Sequence, residues 1–143
     1  MQIIAADGPL DKELKNQVAQ WGISDLVHFL GFRENVIPYI QAADLLVHLS
    51  VSESSNQVIK EVGYCGKTVV VCKGVGDFDD YLNETNAYLI ERDFSEEDLI
   101  ATIELILDNK DMLKIKGENL KKTVLERFSF QDKIVNQYLA LFA

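Results

Sequence analysis

The stretch DLLVHLSVSESSNQVIKEVGYCGKTVVVCK, residues 44–73, decides the fold. DLLVHLS (44–50) is an apolar run of strand length. NQVIKEVGYCG (56–66) has a helical period and ends on Gly66, a residue suited to stop a helix. KTVVVCK (67–73) carries three consecutive valines and is the most strand-like stretch of the chain. A strand, a helix and a strand in this order form a βαβ unit, which pairs its strands in parallel with the helix across them.

The same rhythm extends both ways. Upstream, QIIAA (2–6) reads as a short buried strand. LDKELKNQVAQWG (10–22) carries Leu10, Leu14, Val18 and Trp21 at helical spacing, and Gly22 is placed to end it. LVHFLG (26–31) alternates as a strand with Val27 and Phe29 on one face, and VIPYIQAA (36–43) reads as a short helix with Pro38 in its first turn. Downstream, FDDYLNE (78–84) is a short helix or turn, and NAYLIER (86–92) is a strand. SEEDLIATIELILDN (95–109) is a helix with Ser95 as N-cap and Asp98 three residues on, close to a capping box. Helices over 111–127 and 130–142 close the chain, with Ser129 as the cap of the last. The expectation is a single α/β domain over 1–143, a Rossmann-like, mostly parallel sheet of about five strands flanked by helices.

Composition supports a globular chain and narrows its partners. Hydrophobic residues make up 48% and charged residues 26%. The formal net charge of -9 disfavours nucleic acid, because phosphate contacts need clustered Lys and Arg. No apolar run approaches a membrane span and no signal-peptide pattern opens the chain, so the expected location is cytoplasmic. Cys65 and Cys72 lack metal spacing and read as a pair of buried thiols in a reducing compartment.

Parallel sheets bind ligands past the carboxyl ends of their strands, where helix N-termini point at the crevice. The loop SVSESSN (50–56) lies at such a place. The first backbone N–H groups of the following helix lack internal partners and favour an anion such as a diphosphate. Glu53 precedes that helix and Glu61 lies one to two turns inside it, so both can face one ligand running across the helix end. The plainer reading is that Ser55 or Asn56 caps the helix and both carboxylates are solvated.

A second loop, CKGVGDFDDYLNE (72–84), places Gly74 and Gly76 after a strand. Its carboxylates Asp77, Asp79 and Asp80 read as a solvated helix start rather than a cation site. His28 and His48 read as core or sheet-face residues, Trp21 and the Leu/Ile stripe of 99–107 as packing positions, and the stripe of Ile134, Val135, Tyr138, Leu141 and Phe142 as core.

Glu53 and Glu61, with seven residues between them, resemble the paired glutamates of retaining GT-B glycosyltransferases, family 4 or "group 1". The likeness extends to IIAADGPLDKEL, VHFLGFRENV, AADLLVHLSVSES, AYLIERDFSEEDLIATI and LERFSFQDKIVNQYLALF, in the family's order and over nearly the whole chain. The resemblance implies the C-terminal, donor-binding half of an enzyme that moves a sugar from a nucleoside diphosphate sugar to an acceptor with retention, as in polysaccharide biosynthesis. It implies that catalytic Glu53 contacts donor-sugar hydroxyls and that Glu61 bonds the ribose hydroxyls. Backbone N–H groups around Asn56 and Gln57 would face the diphosphate. Val58 would pack near the ribose or phosphate, and Gly31, Phe32 and Arg33 would approach the base. Gly76 and Asp80 are the nearest equivalents of the family's Gly-Gly turn and acidic residue. The donor is substrate, so no cofactor is implied, and no metal is held by the protein's own residues.

Two departures stand out. Ser54, Ser55 and Asn56 occupy the place of the family's Gly-Phe-Gly, where they offer hydroxyl and amide contacts. The family's first strand–helix unit and its N-terminal, acceptor-binding half have no counterpart in these residues. The reading is therefore of an isolated portion that binds donor weakly or not at all and does not turn over, with membrane association left to the parent enzyme. The missing strand belongs between strands 2–6 and 44–50, which then pair directly or through another chain. An open sheet edge or an uncovered closing helix would favour self-association. The alternative reading is a non-catalytic nucleotide-binding or protein-interaction module of the same fold. A sugar-nucleotide epimerase would need acid/base residues on other loops, and none is evident.

Overall fold

The computed structural model describes residues 2–4 and 8–128. The helix expected over 130–142, its cap Ser129 and its apolar stripe lie outside the described residues. The chain divides into two compact units, Met1–Pro38 and Tyr39–Ala143.

In the first unit, β1 (Gln2–Ile4) pairs in parallel with β2 (Val27–Phe29), Ile3 opposite His28. The crossover is α1 (Asp11–Gln20). Gly22, at φ 68°, ends it: the Gly22 N–H donates to the Ala19 carbonyl and the Ile23 N–H to the Val18 carbonyl. This is the paired closure that a left-handed residue permits. Val18 is buried, but Trp21 is 64% exposed, which corrects its expected packing role. Leu10 and Leu14 of the same stripe are exposed too, because a ladder of two three-residue strands offers little surface to cover them.

In the second unit, β3 (Leu45–His48), β4 (Thr68–Cys72) and β5 (Tyr88–Ile90) form one sheet in the order β3-β4-β5, all parallel. β4 is central and all of its residues are buried, as its valine run demands. Within each unit every strand pairing among the described residues is parallel. A short helix, α2 (Ile37–Ala42), spans the boundary of the units in the sequence.

Helices α3 (Gln57–Tyr64), α4 (Glu96–Asp108) and α5 (Asp111–Phe128) complete the second unit. Its core joins Ile59 and Val62 of α3, Val69, Val71 and Cys72 of β4, Phe78, and Leu120 and Val124 of α5. Two glycines set the α3–α5 approach. A Cβ on Gly63 would meet Val124 Cγ2 at 2.6 Å, and one on Gly117 would meet the Gly66 carbonyl oxygen at 2.2 Å. Gly66, at φ 71°, closes α3 as Gly22 closes α1.

Ser95 and Asp98 form the full capping box at the start of α4. On that helix Leu99 packs on the core and Ile106 is buried, one and two turns along a single face. Ile100, Leu105 and Leu107 fall outside that face and are 49%, 63% and 57% exposed, so only part of the expected stripe packs. Cys72 is buried whereas Cys65 is only half-buried, and both are free thiols. Buried Lys116 donates to the Glu84 and Ala87 carbonyls, tying α5 to the turn before β5. No helix among the described residues is long and apolar enough to cross a membrane.

Candidate functional site

The loop between β3 and α3 is the centre of the site. β3 ends at His48, so the loop leaves the carboxyl edge of the parallel sheet, and α3 opens at Gln57. Asn56 is the N-cap: its Oδ1 accepts the N–H of Val58 at 3.0 Å and of Ile59 at 3.4 Å. The N–H groups of Asn56 and Gln57 have no acceptor among the described residues. They are donors at the positive end of a helix, with no acidic side chain in the first turn.

Glu53 is not a solvated surface carboxylate. Its Oε1 lies 3.1 Å from His48 Nε2, and its side chain keeps 26% of its exposure. Hydrogen bonding from Asn56 holds its carboxyl below the ordinary range; burial opposes this, and His48 and Ser50 add to it. The group is thus kept ionised, as an acceptor of hydrogen bonds must be. Glu61 lies one turn beyond Gln57 on the same helix face, and its carboxylate has no hydrogen-bond or ion-pair partner among the described residues.

The loop is clamped from several sides. Arg92 Nη2 donates to the Val51 carbonyl at 2.8 Å. Gly76, at φ 56°, lies so close to the Glu53–Ser54 backbone that a Cβ there would meet both carbonyl oxygens at 2.9 Å. Ser55 Oγ donates to Asp77 Oδ2 at 2.8 Å, and Lys60 Nζ donates to the same oxygen at 3.2 Å and to Ser55 Oγ. The Lys60 ammonium also lies 4.6 Å from the Phe128 ring centroid. The Ser55 hydroxyl and the Asn56 amide, offered by the sequence as ligand contacts, are engaged within the protein. Ser54 and Gln57 are exposed, and Val58 packs against the core.

The acidic turn after β4 disperses. Asp77 turns to Ser55 and Lys60, while Asp79 accepts the Gly74 N–H at 3.0 Å. Among the described residues no group of three or more His, Cys, Asp or Glu could hold a metal ion. A depression of about 550 Å³ between β5 and α4, lined by Phe94, Thr102 and Leu105 among others, shares no residue with the Glu53 loop.

Gly31, Phe32 and Arg33 belong to the first unit, in the loop after β2. Gly31 adopts φ 68°, Phe32 is 73% exposed, and Arg33 Nη1 donates to the Phe32 carbonyl at 3.2 Å. Sequence reasoning assigned His48 only to the sheet and gave Lys60 and Arg92 no place. For His48 the available signal was its position at the strand end, five residues before Glu53. The Lys60 and Arg92 contacts reach 17 and 41 residues along the chain, beyond any local pattern.

A parallel α/β unit with a capped helix N-terminus and an ionised carboxylate at the strand ends is of the Rossmann-like class. Residues 2–123 match the family described as glycosyl transferases group 1, and the chain belongs to that family. It is 25% identical over 139 residues to the lipopolysaccharide core biosynthesis glycosyltransferase LpsD of Rhizobium meliloti, covering 97% of this chain and 40% of that one. It superposes on HepE of Anabaena, solved in complex with UDP-glucose, with a TM-score of 0.79 and 30% identity over 98% of this chain and 39% of that one. It shares the fold of the C-terminal domain of a group 1 glycosyl transferase, LpcC of Francisella tularensis, at TM-score 0.72 and 22% identity, over 87% of this chain and 67% of that one. The chain spans 28% to 40% of the length of the curated relatives it matches.

Proposed function

We propose that these residues are the donor-binding portion of a glycosyltransferase that moves a sugar from a nucleoside diphosphate sugar to an acceptor with retention. The observation that carries this reading is the pairing of an ionised, half-buried Glu53 with the open N-terminus of α3. The N–H groups of Asn56 and Gln57 are donors for the diphosphate, where the helix end favours negative charge. Glu53 is the catalytic carboxylate that accepts donor-sugar hydroxyls. Glu61, one turn in, accepts the ribose hydroxyls, for which two oxygens in one plane suit a vicinal diol. Ser54 and Val58 flank the diphosphate and ribose. Support for the donor class comes from the family and from HepE of Anabaena, a relative solved with UDP-glucose.

The acceptor-binding half belongs to the parent enzyme, and these 143 residues alone form one partial donor domain that does not turn over. In this reading its place in the cell is the cytoplasm. Calorimetric titration with UDP-, GDP- and ADP-sugars tests the reading. One nucleotide series binds, and Glu61→Ala weakens it about tenfold, the cost of one charge-assisted hydrogen-bond pair. Unchanged affinity in Glu61→Ala sinks the ribose role, and sugar transfer by the purified chain sinks the claim of inactivity.

A further inference from the structure

His48 is the residue of the site that the family reading leaves without a task. Its ring is fixed before any ligand arrives. The backbone is held in β3, opposite Val71 of the central strand. The imidazole meets the fully buried Phe78 ring edge-on, with centroids 6.1 Å apart and planes at 71°. Nε2 lies 3.1 Å from Glu53 Oε1 and 3.1 Å from Asn56 Nδ2.

One ring nitrogen cannot serve both neighbours in the same way. The Asn56 amide is oriented by its capping bonds, which commit Oδ1 to Val58 and Ile59, so the group near His48 is a pure donor. An ionised Glu53 is a pure acceptor. A bare Nε2 would accept from Asn56 but face the carboxylate lone pair to lone pair. A protonated Nε2 donates to the carboxylate and faces the Asn56 amino group donor to donor, so that the Asn56 protons turn to Glu53 itself. Because Glu53 is held ionised, the second arrangement is the favourable one.

We propose that His48 is a positioning residue for Glu53: an Nε2–H held by β3 and Phe78 fixes the carboxylate beside the α3 N-terminus, so that Glu53 meets the donor sugar already oriented. The ordering of a flexible glutamate is then settled in the free protein rather than on binding. This rests on the assignment of Glu53 to the donor sugar made above.

The test uses the chain itself. Nitrogen-15 NMR of the imidazoles identifies the tautomer, and carbon-13 NMR of the Glu53 carboxyl follows its titration in the wild type, His48→Leu and His48→Gln. The expected results are a protonated Nε2, a Glu53 midpoint that rises in His48→Leu, and its restoration in His48→Gln, whose amide supplies a donor in a similar place. A ring whose Nε2 carries no proton, or an unmoved Glu53 midpoint in folded His48→Leu, overturns the proposal. Where His48→Leu fails to fold, Glu53→Gln replaces it: the His48 Nε2 resonance must move, and an unmoved one overturns the proposal.

UDP and UDP-glucose then separate this claim from the one beneath it. The preference for UDP-glucose over UDP is expected to fall about tenfold in His48→Leu, with recovery in His48→Gln. If the wild type shows no such preference, the sugar role of Glu53 fails, while the NMR results still decide whether His48 holds it.

Discussion

Gly76 and Glu53 are in backbone contact: a Cβ on Gly76 would lie 2.9 Å from the Glu53 carbonyl oxygen. The contact needs glycine twice over, for space and for φ 56°. Gly76→Ala therefore displaces the very loop that carries Glu53. It is expected to destabilise the chain by about 1–3 kcal/mol, the range for overpacking a tight site. A lowered melting temperature, with amide shifts centred on residues 51–56, checks it. An unchanged melting temperature would contradict the account of the contact.

Lys60, Asp77 and Ser55 act as one unit beneath the same loop. The Lys60 and Asp77 side chains are 12% and 23% exposed. Asp77→Ala leaves the Lys60 charge with only ring faces and the Ser55 hydroxyl. The expected loss is about 1–3 kcal/mol, less than for a fully buried pair because Asp77 keeps some solvent. Adding Lys60→Met is expected to recover part of that loss, since it removes the stranded charge. Urea unfolding of both single variants and the double variant measures the coupling, and strict additivity would show that the two do not interact.

The two glycines between α3 and α5 should differ in tolerance. At Gly63 the obstacle is the Cγ2 of fully buried, β-branched Val124, which moves only if the core repacks; at Gly117 it is a backbone carbonyl, which is harder still to move. Alanine gains about 1 kcal/mol of helix propensity over glycine at either place. Both substitutions are expected to be destabilising, Gly63→Ala less so than Gly117→Ala, because overpacking outweighs the propensity gain. Thermal unfolding of both variants reads the order, and the reverse order would contradict the packing described.

The α4 capping box predicts an acid response. Backbone and side-chain hydrogen bonds from Ser95 hold the Asp98 carboxyl below its ordinary value of 3.8. A folded value below the unfolded one contributes stability that is present above the unfolded value. That contribution is lost as pH falls through the folded one. Asp98→Ala is therefore expected to be less stable than wild type near neutrality, with the gap narrowing below pH ~4 as the wild type loses the same ionised contact. Unfolding curves taken across the acid range test the sign. A gap that widens toward low pH would refute it.

What the sequence made legible follows from the range of the forces involved. Glycines at positive φ, the Ser95–Asp98 box and the valine run of β4 are local, and each was readable from a few neighbouring residues. The position of Glu53 ahead of α3 was equally local. The engagement of Glu53 by His48 was not, because it depends on the β3 register and on the ring being held by Phe78. The exposure of Trp21, Leu105 and Leu107 was misjudged for a related reason. Spacing shows that a face could form, whereas burial depends on what other elements bring to it. The role of Ser55 turned on Asp77, twenty-two residues away on the loop after β4.

The central claim is that a nucleoside diphosphate sugar binds across the N-terminus of α3, between Glu53 and Glu61. Titrating nitrogen-15-labelled chain with UDP-glucose and following backbone amides tests it most directly. The account predicts saturable shifts concentrated at Glu53, Asn56, Gln57 and Glu61, all moved together to about tenfold higher ligand concentration by Glu61→Ala. Saturable shifts centred elsewhere, as at the β5–α4 depression, would contradict it.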